Sequence, residues 1–177
     1  EIRYTGGGVC APSGFRAAGT ACGIKCTVDK KDLALIVSDV MCSAAAVYTT
    51  NKVKGAPLKV TKDHIADGKA IAVICNSGNA NTCAPDGEAV AEKTCEITAS
   101  NIGADKNDIV VCSTGVIGQQ LQMEPFERGI PELAKIADYN GSASAAEAIM
   151  TTDTIPKEVA VEVSIGGKTC RIGGIAK

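Results

Sequence analysis

Ser113-Thr114-Gly115-Val116-Ile117-Gly118 carries the clearest chemical signal in the chain. It follows Asp108-Ile109-Val110-Val111-Cys112, a short apolar run with β-branched residues that reads as a buried strand. A small hydroxyl residue and a glycine at the carboxyl end of a strand let backbone N–H groups approach a substrate oxygen closely. Helix signals return only near Glu124-Pro125. The segment reads as an oxyanion-binding corner, with a tight strand exit that carries no chemistry as the plain alternative.

A second polar segment, Asn76-Ser77-Gly78-Asn79-Ala80-Asn81, sets three carboxamides around one glycine directly after the apolar run Ala70-Ile71-Ala72-Val73-Ile74-Cys75. Carboxamides donate and accept, which suits recognition of an amide or carboxylate, and Asx turns use the same residues. If the two strands are neighbours, the two segments meet at one edge of the sheet. Thr151, Thr152 and Thr154 follow a short helix and either line a pocket or end that helix. A Ser–His–Asp triad would have to use His64, the only histidine, whose neighbours Lys62 and Asp63 place it on the surface. Gly167-Lys168-Thr169 mimics the end of a phosphate-binding loop, but Glu162 stands where the earlier glycine is required.

The elements that must position these residues follow from pattern. Residues 32–39 read as a buried strand, 44–50 as a second, and 58–61 as a half-exposed strand. Pro85-Asp86-Gly87-Glu88 starts a helix that Asn101 and Gly103 stop. A broken helical segment carries Pro125 near its start, with Pro131 beginning a second turn. Ser144 to Glu147 fits a capping box before residues 148–150. Lys157 to Ile165, Gly166-Gly167 and Lys168 to Ile172 form a β-hairpin. The glycine-rich start reads as loop. Gly173-Gly174-Ile175-Ala176-Lys177 closes the sequence without a capping or polar tail and reads as an interrupted element.

The 177 residues suffice for one domain, 1–177, with a real core. Hydrophobic residues make 45% and aromatics only 3%, so Ala, Val, Ile and Leu must build that core. With a formal net charge of −2 and scattered cations, no nucleic-acid footprint is expected. No apolar run approaches the ~20 residues that span a bilayer, and no signal peptide precedes Glu1, so a soluble, cytoplasmic protein is expected. The nine cysteines include no C-x-x-C pair, which favours reduced, mostly buried thiols over a metal or redox centre.

Five blocks carry a resemblance: Gly7-Gly8-Val9 with Ala11-Pro12 and Gly14-Phe15, then residues 76–81, 113–118, 148–154 and 173–177. In this order they resemble the glutamate N-acetyltransferase family, the ornithine acetyltransferases of arginine biosynthesis. The resemblance implies an α/β (α+β) fold, a layered α-β-β-α sandwich completed by a β chain. This is the self-cleaving N-terminal-nucleophile type, related to the self-cleaving aminopeptidases. It also implies a precursor that cuts itself before a threonine, with αβ units pairing into a heterotetramer, and this chain as the α subunit. The β chain's new N-terminal threonine is then the nucleophile, taking acetyl from N-acetylornithine and passing it to glutamate. Thr114 and Gly115 match the family's oxyanion-stabilising pair; Thr151 and Lys177 match substrate-binding positions. No cofactor and no metal are implied, and acetyl-CoA is admitted as an alternative acetyl donor. The rival readings are a self-cleaving aminopeptidase and a non-enzymatic amino-acid-binding module.

Overall fold

A computed structural model of the chain describes residues 2–27 and 29–177. Seven strands form two sheets. Four of them, β2 (Phe15–Thr20), β3 (Leu33–Ser43), β4 (Lys69–Asn79) and β5 (Ile109–Val116), lie side by side in that order. The smaller sheet has the order β1-β6-β7, from Ile2–Thr5, Lys157–Ile165 and Lys168–Ala176. The mixed α/β class expected from the sequence holds, with two sheets as expected.

In the four-stranded sheet β2, β3 and β4 are antiparallel, whereas β4 and β5 are parallel. A parallel neighbour requires a crossover. Helix α2 (Gly87–Ile102) supplies it, and Gly103 ends it in the left-handed conformation as expected. Helices α1 (Ala56–His64), α2 and α3 (Glu124–Ile136) cover one face of this sheet. Leu33, Leu35, Ile74 and Ile109 meet Val60, Cys95, Phe126 and Leu133 there in one cluster. The opposite face is covered at the β2–β3 end by the short helix α4 (Ser142–Ala148), where Ala17 and Ala34 pack against Ala145 and Ala148. Beyond α4, that face shows half-buried Ile71, Val73 and Val110.

Several expectations need correction. Residues 58–61 are helix: Pro57, Val60, Thr61 and His64, the buried set of α1, recur at helical spacing, and a four-residue window was too short to separate the two periods. Residues 44–50 are outside any strand, because β3 itself runs on to Ser43 through a register shift after Val37. Helix α3 is continuous, with Pro131 inside it; the hydrogen bond this proline removes would have gone to Glu127, on the exposed side. The capping box fails too: α4 begins at Ser142 with Gly141 before it. Ser144 instead donates to the Gly19 carbonyl at 3.0 Å, and Glu147 pairs with Lys31 at 2.7 Å. The glycine-rich segment 6–14 lies outside any strand as expected, but strands β1 before it and β2 after it were not anticipated.

The hairpin is present, with Gly166 and Gly167 both at positive φ as a two-residue turn demands. Its second strand extends past Ile172 to Ala176, so 173–176 are paired residues. All nine cysteines are free thiols, but only Cys22 and Cys95 are buried, while Cys26, Cys83 and Cys112 are exposed. The small residues of β2 and α4 leave the large side chains of α3 to fill the main core. Phe126→Ala, which empties a fully buried site, should cost about 3–5 kcal/mol in denaturant-unfolding measurements.

Candidate active site

The two polar segments do meet, but as strand ends and not as loops. β4 and β5 run parallel in register: Cys75 opposite Cys112, Ser77 opposite Thr114, Gly78 opposite Gly115. Gly115 has φ +135° and Gly78 φ +111°, in the region that favours glycine. A Cβ on Gly115 would lie 2.3 Å from the Gly78 carbonyl carbon and 2.5 Å from the Asn79 nitrogen. Only glycine permits this approach.

The carboxamides that suggested ligand recognition are spent on the backbone. Asn76 Nδ2 donates to the Asn79 carbonyl at 2.8 Å, Asn79 Nδ2 to the Gln119 carbonyl at 3.1 Å, and Asn81 Nδ2 to the Gly87 carbonyl at 2.8 Å. All three asparagines are buried. They hold the irregular end of β4 in place, which corrects the reading of a carboxamide clamp. Ser77 ties this end to its surroundings, its hydroxyl donating to the Ala148 carbonyl at 2.5 Å and its N–H to the Asp32 carbonyl at 2.8 Å. Through Ala148, the C-terminus of α4 is fixed beside β4, and Thr151 follows three residues later.

Lys177 arrives from the end of β7 and pairs with Asp153 Oδ2. Lys157 Nζ lies 2.6 Å from Oδ1 of the same carboxylate, and the Thr151 N–H donates to Oδ2 at 3.2 Å. The Lys157 hydrogen bond, then those of Lys177 and the Thr151 N–H, hold the Asp153 carboxyl far below the usual carboxylate range. One carboxylate thereby positions a strand end, a helix exit and a lysine.

These parts surround a cavity of about 650 Å³, lined by Thr114, Gly115, Thr151 and Lys177. The structure therefore brings together all four residues singled out from the sequence. Lys25 also lines it, a residue the sequence reading missed. Its position depends on Asp32, which is 1% exposed and accepts N–H groups from four successive residues: Cys22 at 2.8 Å, Gly23 at 3.1 Å, Ile24 at 2.7 Å and Lys25 at 2.9 Å. The turn so formed lies against Gly78. An aspartate just before an apolar strand, eight to ten residues after glycine-containing Cys22-Gly23-Ile24, was the only available signal. Burial lowers the Lys25 ammonium pKa; Asp32 opposes that shift and Lys30 adds to it. Burial, then Asp32, push the Cys22 thiol far up.

His64 is not a surface residue. It is 7% exposed on α1, with Nδ1 2.9 Å from the Ile109 carbonyl and Nε2 3.4 Å from Glu92. It docks α1 onto β5, on the helix-covered face. The segment 167–169 is the turn and first residues of β7 and holds no phosphate-type loop.

The family model described as the ArgJ family matches residues 16–177. The chain belongs to the ArgJ family. It is 46% identical to the arginine biosynthesis bifunctional protein ArgJ of Symbiobacterium thermophilum, over 99% of this chain and 44% of that protein. The ArgJ of Bacillus cereus strain ZK / E33L is 47% identical, over 97% of this chain and 42% of its own length. The chain thus spans less than half the length of the curated relatives it matches. Among solved structures it is similar to the ornithine acetyltransferase of Mycobacterium tuberculosis, determined in complex with ornithine. That similarity has a TM-score of 0.92 at 38% identity and covers 99% of this chain and 94% of that one. The arginine biosynthesis bifunctional protein ArgJ of Bacillus halodurans superposes with the same TM-score and identity.

Two outcomes test the geometry. Gly115→Ala must either move β5 away from Gly78 or fail to fold around it, so any folded variant should show the displaced strand crystallographically. For Asp153 the folded pKa lies below the unfolded value near 4. Its pairing therefore stabilises the fold fully above that pH and is lost as pH falls toward the folded value. Asp153→Asn should flatten the dependence of unfolding midpoint on pH below about 4.

Proposed function

We propose that the chain is the α subunit of an acetyltransferase that moves acetyl from N-acetylornithine to glutamate in arginine biosynthesis. One observation carries the reading. In a chain of the ArgJ family, Thr114 and Gly115 from β5, Thr151 after α4 and Lys177 from β7 converge on one cavity. In this proposal residues 1–177 act as one unit, paired with a β chain cut from the same precursor and assembled as αβ dimers of dimers in the cytoplasm. The length of the curated relatives leaves room for such a partner. The sheet face that shows Ile71, Val73 and Val110 is a suitable seat for a second sheet.

The chemistry runs in two steps. The hydroxyl of the β chain's N-terminal threonine attacks the acetyl carbonyl of N-acetylornithine, its proton passing to the free α-amino group. Thr114 and Gly115 receive the negative charge that develops on the acetyl oxygen. Collapse of this intermediate breaks the C–N bond; ornithine leaves with the proton, and an acetyl-threonine ester remains. The amine of glutamate then attacks the ester, giving N-acetylglutamate and the free hydroxyl. Lys177, held by Asp153, pairs with the substrate α-carboxylate, and Thr151 borders the same group. The chain requires no cofactor or metal for these steps. Acetyl-CoA could enter only as another acetyl donor to the same threonine.

Mass spectrometry of the αβ enzyme after incubation with N-acetylornithine should find acetyl on an N-terminal threonine, and glutamate should remove it. Peptide hydrolysis without acetyl-enzyme would overturn the reading. Thr114→Ala should lower kcat about 10²-fold or more while the acyl group still forms slowly.

A further inference from the structure

We propose that Lys25 determines acceptor specificity: its ammonium receives the side-chain carboxylate of glutamate while Lys177 holds the α-carboxylate. The inference rests on the acetyl-transfer reading and adds a residue and a subsite to it.

The cavity lined by Thr114 and Gly115 adjoins a second one of about 350 Å³. Lys25, Thr27, Gly78 and Val116 belong to the walls of both. The second cavity is also lined by Gln119, Gln120 and Gln122, neutral groups that can donate to an anion without competing charge. Lys25 therefore stands at the border of the two cavities, within the wall that also holds Gly115.

Charge separates the two lysines. Lys177 shares one carboxylate with Lys157, so that carboxylate offsets only part of its charge and one positive charge of the pair remains. The Lys25 ammonium bonds a neutral acceptor, the Lys31 carbonyl at 2.6 Å. Its charge is partly desolvated by burial; the carboxylates of Asp32 and Glu147 act in its favour and the like charges of Lys30 and Lys177 against it. An anion placed beside it gains more than one placed beside a solvated surface lysine. Two lysines lining one cavity suit a substrate with two carboxylates. Glutamate has two. Ornithine has one, with an ammonium at the other end, so Lys25 gives the donor's side chain nothing and opposes its retention after the first step.

The position is also rigid. Four N–H groups on the Asp32 carboxylate fix the turn that bears Lys25, and Arg128 Nη2 holds the Cys22 carbonyl at 3.1 Å. A Cβ on Gly78 would approach Lys25 Cγ within 3.0 Å, so the stem of Lys25 rests directly on the irregular end of β4. Lys30 also faces the larger cavity, but as an exposed residue at its rim, and serves as the comparison.

The test is calorimetric binding of glutamate and of N-acetylornithine to the αβ enzyme, with Lys25→Met, Lys25→Arg and Lys30→Met. Lys25→Met should weaken glutamate about tenfold or more and leave N-acetylornithine unchanged or tighter. Lys25→Arg should restore glutamate to within about threefold of wild type, and Lys30→Met should change it by less than about threefold. Unchanged glutamate affinity in Lys25→Met would overturn the assignment, as would equal weakening of both ligands. Glutamate binding needs no turnover, so a failure of acetyl transfer, which would sink the underlying reading, leaves this measurement standing.

Discussion

Gly78 and Gly115 lie so close that neither strand end could keep its path with a side chain on Gly115. That contact joins the carboxyl ends of β4 and β5, and the rest of the site is arranged around it. Beyond it the register shifts at Asn79, and a shifted strand end leaves backbone groups to be satisfied. Asn76, Asn79 and Asn81 do this from inside, each bonding main chain. The polar residues that look most like ligand contacts are therefore the internal support of a glycine–glycine approach, and Thr114 and Gly115 are left to line the cavity.

Two aspartates connect this centre to the rest of the chain by different means. Asp32 is buried and accepts four N–H groups, so its charge is dispersed over backbone dipoles, and the turn it builds is fixed to β4 through the Ser77 N–H. Asp153 is partly exposed and holds two ammonium groups. The first arrangement sets Lys25 in the wall of the cavity; the second sets Lys177 there, sharing one carboxylate with Lys157. The cavity thus has a lysine from each arrangement in its wall, and the proposed discrimination between a monocarboxylate and a dicarboxylate rests on that pair.

Elements defined by long, regular patterns were legible in the sequence. The apolar run 70–75, the helix stopped at Gly103 and the hairpin around Gly166-Gly167 stand where pattern and turn chemistry place them. Failures arose where tertiary pairing overrode local signal. β2 contains Ala-Ala-Gly, weak in strand propensity, and exists because Gly19 admits the Ser144 carbonyl and Ala17 pairs with Asp138. His64 looked exposed among Lys62 and Asp63, yet its helix face also holds Val60 and Thr61, and the face decides its burial. Thr114, Gly115, Thr151 and Lys177 were reachable through motif resemblance. Lys25 was not, because its role depends on a carboxylate seven residues away whose hydrogen bonds leave no periodic trace.

Strand β5 links the site to the uncovered face of the sheet. Ile109 and Val111 point into the helix-covered core, so Val110 and Cys112 point the other way, and alternation places Thr114 on their side. Thr114 therefore opens toward the same face that shows Val73 and Ile71. A segment that covered this face would approach Thr114 from the direction in which the proposed nucleophile must come. Burial of the apolar face and delivery of the attacking group are then one event, since both use the outward side of a single strand. In the proposed enzyme such an arrangement would keep the two halves inert until they are joined: one would hold the oxyanion pocket without a nucleophile, the other a threonine without a place to stabilise charge.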